Sequence, residues 1–400
     1  MQKRLNLLLV TNLYPTPVES TRGIFVYQLV KRLRVHCDIT VVCPLPWFPA
    51  VPLPATPARW RSLSRVPQEY SIDGAKVYSP KYPMIPRISE NFHAILMSIT
   101  LYPLIKKLHA QRHFDVMNAQ WLYPDGVAAA RISQRLGIPL VLSALGSDVN
   151  VFIAEEPKWK QIVWSLKRAA AITTVSQALK DRLVGESVPQ AKITVIPNGA
   201  DCALFKLRSK VKCRTTLRLD PQRKAIIFVG RLVEIKGVDY LIDAAEKLSR
   251  RHQDFIVYLL GDGHLRDAYE RDIRARGLAE KVKCMGGRSH SEIPVWMGAA
   301  DVFCLPSLQE GCPNVVLEAL FSGRPVVASR AGGVPEMVNT RNGVLVEPGD
   351  AAGLCDGLDR ALAKLWDAQA IRDSVSHFTW ETAAEGYHRT FVSAYESGVG

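Results

Sequence analysis

The chain has 400 residues, of which 48% are hydrophobic and 22% charged, an ordinary globular composition that excludes gross disorder. This length is enough for two domains, each with its own core. The formal net charge of +13 is uneven, because residues 1–200 hold 24 Lys and Arg against 12 Asp and Glu, whereas residues 201–400 hold 27 against 26. A basic first half favours an anionic partner (a phospholipid surface, a lipid-linked pyrophosphate or nucleic acid), with simple solubility as the alternative.

The cysteines and two unusual segments of the chain bear on its cellular compartment and on contact with a membrane. The eight cysteines are scattered without a Cys-x-x-Cys, which predicts reduced thiols in the cytoplasm rather than a disulfide framework or a zinc site. The apolar run 94–105, followed by Lys106-Lys107, falls short of the roughly 20 residues of a membrane span and predicts a buried or interfacial helix. The proline-rich segment 44–67 combines aromatics with arginines, which suits a membrane interface or a lipid-linked acceptor, or equally a loop over a sheet edge.

Apolar strand-like runs alternate with helical segments along the chain. In the first half, strands are expected at 5–10, 38–43, 114–119, 140–145, 171–175 and 193–196. In the second half, they are expected at 225–229, 255–260, 281–285, 301–305 and 325–328. This alternation predicts an α/β fold with parallel sheets covered by helices on both faces. Such sheets bind ligands at the carboxyl ends of their strands, so the loops that follow strands are the candidate site.

The most informative stretch is 305–322, which consists of a strand end, a tight loop and a helix predicted to start at Pro313. Asn314, Glu318 and Ser322 are four residues apart and form the one polar face of this apolar helix. A carboxylate there must be paired, so Glu318 either binds sugar hydroxyls or is satisfied by backbone amides or an arginine. Glu310, at the helix entrance, would lie nearer the reacting end of such a ligand.

Three further loops carry candidate residues. In 230–237, of sequence Gly-Arg-Leu-Val-Glu-Ile-Lys-Gly, Arg231 and Lys236 can clamp a diphosphate, although basic loop residues are usually only solvated. Gly23 precedes a predicted helix at 24–33, where backbone amides can approach a phosphate, or it is a plain turn glycine. Asp148 follows a strand, so it either lies on the ligand side of the sheet or caps the next helix.

Residues 310–319, Glu-Gly-Cys-Pro-Asn-Val-Val-Leu-Glu-Ala, resemble the two-glutamate motif of the retaining, nucleotide-sugar-dependent glycosyltransferases of family 4. The Gly-Arg-Leu…Lys-Gly loop and Gly-Asp-Gly-His-Leu-Arg at 261–266 resemble the same family. The resemblance implies the GT-B fold, an α/β architecture of two Rossmann-like domains facing across a central cleft. We place these domains at 1–200 and 201–378, with a final helix in 379–400 that crosses back to the N-terminal domain.

The resemblance also implies a role for each candidate. Arg231 and Lys236 would stabilise the leaving diphosphate, Glu310 would orient the donor sugar, and Glu318 would hold the ribose. The candidate set is therefore Glu310, Arg231 and Lys236 for catalysis, Glu318, Arg231, Lys236, Gly23, Gly311, Asn314 and Gly286 for donor binding, and Asp148 on the acceptor side. No Asp-x-Asp occurs in the chain, so neither a metal nor a cofactor is expected, the nucleotide-sugar being a substrate.

The chain departs from the family at Leu145, where members carry a histidine beside the donor sugar. Two alternatives to a retaining transferase therefore stay open: a nucleotide-sugar epimerase of the same fold, and an inactive nucleotide-sugar-binding assembly subunit. The expected function is transfer of a sugar from a UDP- or GDP-sugar to a hydroxyl of a glycan or lipid-linked acceptor, in polysaccharide or glycolipid biosynthesis. We expect a cytoplasmic protein with peripheral contact to an anionic membrane through the basic N-terminal domain, and no nucleic-acid partner, since no recognised motif accompanies the charge.

Overall fold

The computed structural model describes residues 4–47, 62–84, 89–252 and 254–399. The chain forms two compact units, unit 1 (Met1–Pro197 with Trp380–Gly400) and unit 2 (Asn198–Thr379). The divisions fall at 197/198 and 379/380, against the predicted 200/201 and 378/379. Most of the proline-rich segment 44–67 falls on residues 48–61, which lie outside the described residues.

The secondary structure follows the expected alternation of strands and helices. The strands are β1 (Leu5–Val10), β2 (Cys37–Val42), β3 (Leu45–Trp47), β4 (Glu69–Ile72), β5 (Ala75–Tyr78), β6 (Lys81–Pro83), β7 (Val116–Gln120), β8 (Leu140–Ala144), β9 (Ala171–Thr174), β10 (Ile193–Val195), β11 (Lys224–Val229), β12 (Phe255–Leu260), β13 (Val282–Gly286), β14 (Val302–Leu305), β15 (Val326–Ser329) and β16 (Gly343–Val346). The α-helices with both ends among the described residues are α1 (Ile24–Leu33), α2 (His93–Arg112), α3 (Val127–Leu136), α4 (Ser147–Asn150), α5 (Glu156–Arg168), α6 (Gln177–Gly185), α7 (Lys210–Leu217), α8 (Val238–Ser249), α9 (Arg266–Ala275), α10 (Ile293–Ala299), α11 (Asn314–Phe321), α12 (Val334–Met337), α13 (Ala351–Ala363), α14 (Ala368–Asp373) and α15 (Trp380–Val399).

Unit 1 is built on an eight-stranded sheet in the order β10-β9-β8-β7-β1-β2-β5-β4. Its strands pair in parallel except β4 and β5, which form an antiparallel hairpin at one edge. The hairpin was not among the strands predicted from the sequence, whose parallel pairing is confirmed. Asp73 and Gly74 both have positive φ (46° and 74°), the conformation of a two-residue hairpin turn.

The last helix, α15, belongs to unit 1 and completes its core. Trp380, Tyr387 and Phe391 of this helix are buried together with apolar residues of β1 and α1. The Tyr387 hydroxyl also accepts a hydrogen bond from Thr173 on β9 (3.3 Å) within a buried polar network that extends to Ser143. The chain therefore returns to its first unit after completing the second.

Unit 2 is a six-stranded, wholly parallel sheet in the order β13-β12-β11-β14-β15-β16. All six residues of β12 are buried, as expected for a strand with helices on both faces of its sheet. The chain builds β11, β12 and β13 outward in one direction and then crosses to β14 on the other side of β11. This reversal makes a topological switch point between β11 and β14, the place where open α/β sheets bind ligands.

The helices of the described ranges include none with the length and continuous hydrophobicity that a bilayer crossing requires. The apolar run 94–105 lies in α2, which is 20 residues long and contains Lys106 and Lys107.

Candidate active site

The two loops singled out in the second half of the sequence lie side by side at the switch point of unit 2. Loop 230–237 follows β11 and loop 306–313 follows the adjacent β14. The Leu308 amide donates a hydrogen bond to the Ile235 carbonyl (2.9 Å). Gly237 has φ +61°, and a Cβ there would lie 2.2 Å from the Pro306 carbonyl oxygen. The glycine beside Lys236 is therefore required by the contact between the two loops.

This contact brings Lys236 and Glu310 together. Lys236 Nζ lies 2.5 Å from Glu310 Oε1, and the two side chains are 23% and 9% exposed. The structure thus unites two of the three predicted catalytic residues in a partly buried ion pair. The third, Arg231, lies on the same loop as Lys236 and is exposed, and its side chain makes no hydrogen bond or ion pair within the described ranges.

The loop that carries Glu310 is fixed from its other side by the segment after β15. The Gly333 amide donates to the Gly311 carbonyl (2.8 Å). Gly332 has φ +53°, and a Cβ there would lie 2.0 Å from the Glu310 carbonyl oxygen. Gly311, between Glu310 and the start of α11, is thus held through its backbone carbonyl.

Helix α11 begins at Asn314, one residue later than predicted, because Pro313 adopts an extended conformation (φ −72°, ψ 104°) at the N-cap. The predicted polar face exists, but its three members have different partners. Asn314 Oδ1 accepts a hydrogen bond from Asn198 Nδ2 (2.9 Å), and Ser322 Oγ donates to the Glu318 carbonyl (2.8 Å). Of the three side chains, Glu318 alone brings a carboxylate to this face.

The partner of Glu318 is His290, which is neither the backbone amide nor the arginine that the sequence allowed. His290 Nε2 lies 3.4 Å from Glu318 Oε1, with the side chains 31% and 15% exposed. This hydrogen bond raises the pKa of His290 above its usual value. His290 follows β13 and also meets the Phe205 ring edge-on at 5.4 Å. Sequence reasoning missed it, because no motif or periodicity connects the two residues.

Gly286, a predicted donor-binding residue, ends β13 at the same edge of the sheet. Its carbonyl accepts a hydrogen bond from the Gly261 amide (3.0 Å). Gly261 in turn approaches Gly230 so closely that a Cβ would lie 1.8 Å from the Gly230 carbonyl oxygen. The loops after β11, β12 and β13 therefore pack against one another through glycine backbones. They lie at the same edge of the sheet as the loops that carry Lys236 and Glu310.

Gly23 and Asp148 belong to unit 1, whereas the other candidates belong to unit 2. Gly23 has φ +55°, and a Cβ there would lie 2.1 Å from the Leu13 carbonyl oxygen. The need for glycine at the start of α1 is thus explained by a close backbone approach within unit 1. Its contact with a donor phosphate stays a prediction.

Asp148 is completely buried, and its carboxylate is hydrogen-bonded to backbone amides rather than exposed to solvent. Its carboxylate accepts hydrogen bonds from the amides of Leu122 (3.0 Å), Leu145 (3.0 Å) and Gly146 (2.8 Å). Burial raises its pKa to about 6, against the lowering effect of these amides. The carboxylate therefore joins the loops after β7 and β8. Its side chain does not cap helix α4, and its contact with an acceptor stays a prediction.

A second buried carboxylate, Asp125, was not identified from the sequence. It accepts hydrogen bonds from the backbone (2.6 Å) and the side-chain amide (2.8 Å) of Asn12, at the end of β1. Arg22 Nε donates to the Asn12 carbonyl (2.7 Å). Burial raises the pKa of Asp125 to about 7. Its sequence context, Tyr-Pro-Asp-Gly, looks like an ordinary turn and gives no signal of burial.

Within the described ranges, no group of three or more His, Cys, Asp and Glu side chains is arranged to hold a metal ion. The eight cysteines all lie in the described part of the chain and are free thiols. Donor binding without a metal bridge stays a prediction.

Two family models match successive parts of the chain, "Glycosyltransferase Family 4" at residues 23–204 and "Glycosyl transferases group 1" at 223–364. The glycosyltransferase TuaC of Bacillus subtilis, named for teichuronic acid biosynthesis, is 29% identical over 387 residues, 92% of each chain. The D-inositol 3-phosphate glycosyltransferase of Segniliparus rotundus is 30% identical over 310 residues, 72% of this chain and 68% of that protein.

The solved structure of sucrose-phosphate synthase from Thermosynechococcus elongatus superposes with a TM-score of 0.79 at 20% identity, covering 98% of this chain and 100% of the other. The fold is GT-B, and the protein is a glycosyltransferase of the hexosyltransferase type. The chain belongs to glycosyltransferase family 4.

Proposed function

We propose that the protein transfers a sugar, with retention of anomeric configuration, from a nucleoside-diphosphate sugar to a hydroxyl of a glycan or lipid-linked acceptor. The observation that carries this proposal is the convergence of Lys236 and Glu310 at the switch point of unit 2. Glu318 lies one turn into the adjoining helix, beside the loop that contains His290. One edge of the sheet thus carries a cation and two carboxylates, which we assign to the diphosphate, the donor sugar and the ribose.

The leaving diphosphate is the part of the donor that needs positive charge. Lys236 supplies a point charge and Arg231 a planar fork, and both stand at the start of α8. The amino ends of α8 and α11 add partial positive charge to the same loops. Stabilising the charge that develops on the departing phosphate is the electrostatic contribution expected to dominate.

Glu310 is assigned to the sugar. Its carboxylate orients the donor hexose and supports the positive charge that builds on the anomeric carbon as the bond to the diphosphate breaks. The acceptor hydroxyl enters on the face from which the diphosphate departs, and the phosphate takes its proton. The partial burial of Glu310 strengthens these interactions relative to water.

Glu318 is assigned to the ribose hydroxyls and Gly286 to the nucleobase. The contact between Glu318 and His290 supports this assignment, because it shows that the loop after β13 reaches the carboxylate on α11. A nucleoside can then lie with its base on that loop and its ribose on Glu318. Asn314 and Gly311, at the start of α11, complete the donor contacts.

We assign the acceptor to unit 1 and place the reaction in polysaccharide or glycolipid biosynthesis at the inner face of a membrane. The excess of Lys and Arg over Asp and Glu in residues 1–200 supports an anionic surface or a pyrophosphate-linked acceptor. The name of TuaC, which refers to teichuronic acid biosynthesis, supports an envelope polysaccharide.

A thermal-shift panel of UDP, GDP and their sugars tests donor binding. A nucleotide at about 100 times its Kd should stabilise the protein by about 2.7 kcal/mol. We expect one base to raise the Tm, Lys236→Ala to abolish the rise, and the exposed control Lys212→Ala to retain it. The proposal would be refuted if no nucleotide of the panel raised the Tm.

Incubation of the protein with its donor separates transfer from the other two functions of this fold. Leu145 occupies the position where family members carry a histidine, so activity has to be measured directly. Transfer requires an acceptor, whereas an epimerase converts the donor alone and an inactive subunit binds donor without converting it. Product formation only in the presence of an acceptor supports the proposal, and either other outcome replaces it.

A further inference from the structure

The outer face of α2 is apolar, and within the described part of the chain its residues are half-buried or exposed. From its N-cap Phe92, the side chains of Ile95, Leu96, Ile99 and Pro103 recur at three- and four-residue spacing and form one stripe. Phe92 is 57% exposed and Ile99 60%, among the most exposed large hydrophobic side chains of the described residues. The opposite face of α2 supplies core residues to unit 1, so the helix is apolar on both sides.

The helices that carry and adjoin this α2 stripe are rich in Lys and Arg, although Glu90 lies beside the stripe and pairs with Lys158. Helix α2 continues into Lys106 and Lys107, and it packs beside α3, which packs beside α5. Together the three helices contain nine Lys and Arg and one acidic residue, Glu156. Their net charge of +8 accounts for most of the +13 of the chain. The basic character of residues 1–200 is therefore concentrated on one layer of helices.

Aromatic rings lie among these cations. The guanidinium of Arg135 on α3 lies over the ring of Tyr102 on α2, at 5.4 Å. Trp164 on α5 is contacted by Arg131 at 5.2 Å and by Arg168 at 4.5 Å. Tyrosine and tryptophan favour the boundary between lipid and water, where an apolar ring and a polar tip are both satisfied.

The direction of α2 relates the stripe to the ligand edge of unit 1. Next to its first turn, the Glu90 carbonyl accepts a hydrogen bond from the Tyr123 hydroxyl (2.6 Å), and Tyr123 follows the carboxyl end of β7. At its other end, the Arg112 carbonyl accepts from Asn6 Nδ2 (3.3 Å) near the start of β1. The apolar half of α2 therefore begins at the carboxyl edge of the sheet, and its lysines lie towards the amino edge.

We propose that α2, with its neighbours α3 and α5, forms a docking surface for an anionic lipid bilayer. The helix lies in the plane of the interface, with the stripe entering the acyl boundary and Lys106 and Lys107 meeting lipid phosphates. Charge complementarity selects this occupant, because an apolar strip bordered by so many cations matches anionic headgroups above acyl chains. The proposal deepens the proposed function, since it would deliver a lipid-linked acceptor to the ligand edge of unit 1.

Flotation of the full chain with vesicles tests this surface, using phosphatidylcholine alone and phosphatidylcholine mixed with phosphatidylglycerol. We expect binding only to the anionic vesicles, weakening as salt rises. Ile99→Glu should lower the partition coefficient at least about ten-fold. The control Val211→Glu, at a 70% exposed apolar position in unit 2, should leave it unchanged. Lys106→Ala and Lys107→Ala should each lower it about five-fold.

Each of three outcomes would overturn the docking surface. The first is equal binding to neutral and anionic vesicles, and the second is equal binding by the Ile99→Glu and Lys106→Ala variants and wild type. The third is a dimer in sedimentation experiments that Ile99→Glu dissociates without any vesicle binding, which would make the stripe an interface between copies of this chain. Nucleotide-induced thermal shifts measured on the same variants report on the donor site independently. If the wild-type protein shows the nucleotide-induced shift but binds no anionic vesicles, the docking surface is refuted and the donor site is not.

Discussion

The two units hold the loops at the ligand edge of their sheets by different chemistry. In unit 2, glycine backbones pack against neighbouring carbonyls, as Gly237 does on Pro306 and Gly332 on Glu310. In unit 1, two buried carboxylates, Asp125 and Asp148, accept backbone hydrogen bonds from the loops around them. Unit 1 also uses a glycine contact, Gly23 on Leu13, so the difference is that unit 1 adds completely buried carboxylates, which the described residues of unit 2 lack.

This difference explains why the donor chemistry is assigned to unit 2. Where main-chain contacts fix a loop, its charged side chains are not needed to hold backbone: Glu310 pairs with Lys236, and Arg231 is exposed. Where a carboxylate fixes a loop, its oxygens are consumed by amides, as in Asp148. A buried aspartate in unit 1 and a glutamate at the edge of unit 2 should therefore respond to substitution in opposite ways.

The largest effect is expected from adding one methyl group to Gly332, which packs against the Glu310 carbonyl in unit 2. In Gly332→Ala, the Cβ would lie 2.0 Å from the Glu310 carbonyl, and the residue has φ +53°. We expect activity to be lost and the free energy of unfolding to fall by at least about 3 kcal/mol, measured by chemical denaturation.

Gly277→Ala is the matched control, because Gly277 has φ +67° in the same unit with nothing within 4 Å of a Cβ. It isolates the backbone cost of roughly 1–2 kcal/mol and should leave activity intact. Equal effects of the two substitutions would mean that left-handed backbone geometry, and not the contact with Glu310, governs the loop.

Removing the cation of the switch-point pair should act on chemistry more than on folding. We expect Lys236→Ala to lower kcat/KM by about 10²–10³-fold, the usual cost of losing one preorganised electrostatic group. The Tm should change little more than in Lys212→Ala, since Lys236 is partly exposed. Combining Lys236→Ala with Glu310→Gln should give a loss much smaller than the product of the two single losses, because the pair acts as a unit. A normal kcat/KM in Lys236→Ala would reduce the pair to a structural ion pair.

The third prediction concerns Asp148 in unit 1, where substitution should affect folding more than ligand binding. Asp148→Asn replaces one carboxylate oxygen, which accepts hydrogen bonds from backbone amides, by an NH2 group that can only donate. We therefore expect the free energy of unfolding to fall by about 1–3 kcal/mol. Nucleotide affinity should stay at the wild-type value, whereas Glu318→Gln should lower affinity and keep stability. The exposed control Asp181→Asn should alter neither. Wild-type stability in Asp148→Asn would show that the amides are satisfied without the carboxylate.

The sequence predicts the candidate site of unit 2 better than the buried contacts of unit 1. In unit 2, apolar strands alternate with loops marked by glycines and charges, and the resemblance of two of these loops to family 4 makes Arg231, Lys236 and Glu310 candidates. In unit 1, the clamps depend on contacts between distant segments, such as Asn12 with Asp125. No local pattern marks an aspartate as buried, and the hairpin of β4 and β5 was likewise missed. The partnership of His290 with Glu318 is another contact between distant segments, and it required coordinates.

The smallest predicted effect concerns that partnership and depends on pH. The hydrogen bond to Glu318, with the charges of Glu318 and Asp201, raises the pKa of His290, while burial beside Phe205 opposes the shift. A raised pKa means that the pair stabilises the fold at low pH and that this contribution is lost as pH rises through the pKa of His290. If Glu318 binds ribose, the protonated histidine competes with the nucleotide, so affinity should increase with pH. We expect the ratio of wild-type to His290→Gln affinity, measured by calorimetry, to rise about three-fold from below to above this pKa. The nucleotide's own titration cancels in that ratio. A pH-independent ratio would mean that the nucleotide does not have to displace His290, and that Glu318 serves the fold rather than the ribose.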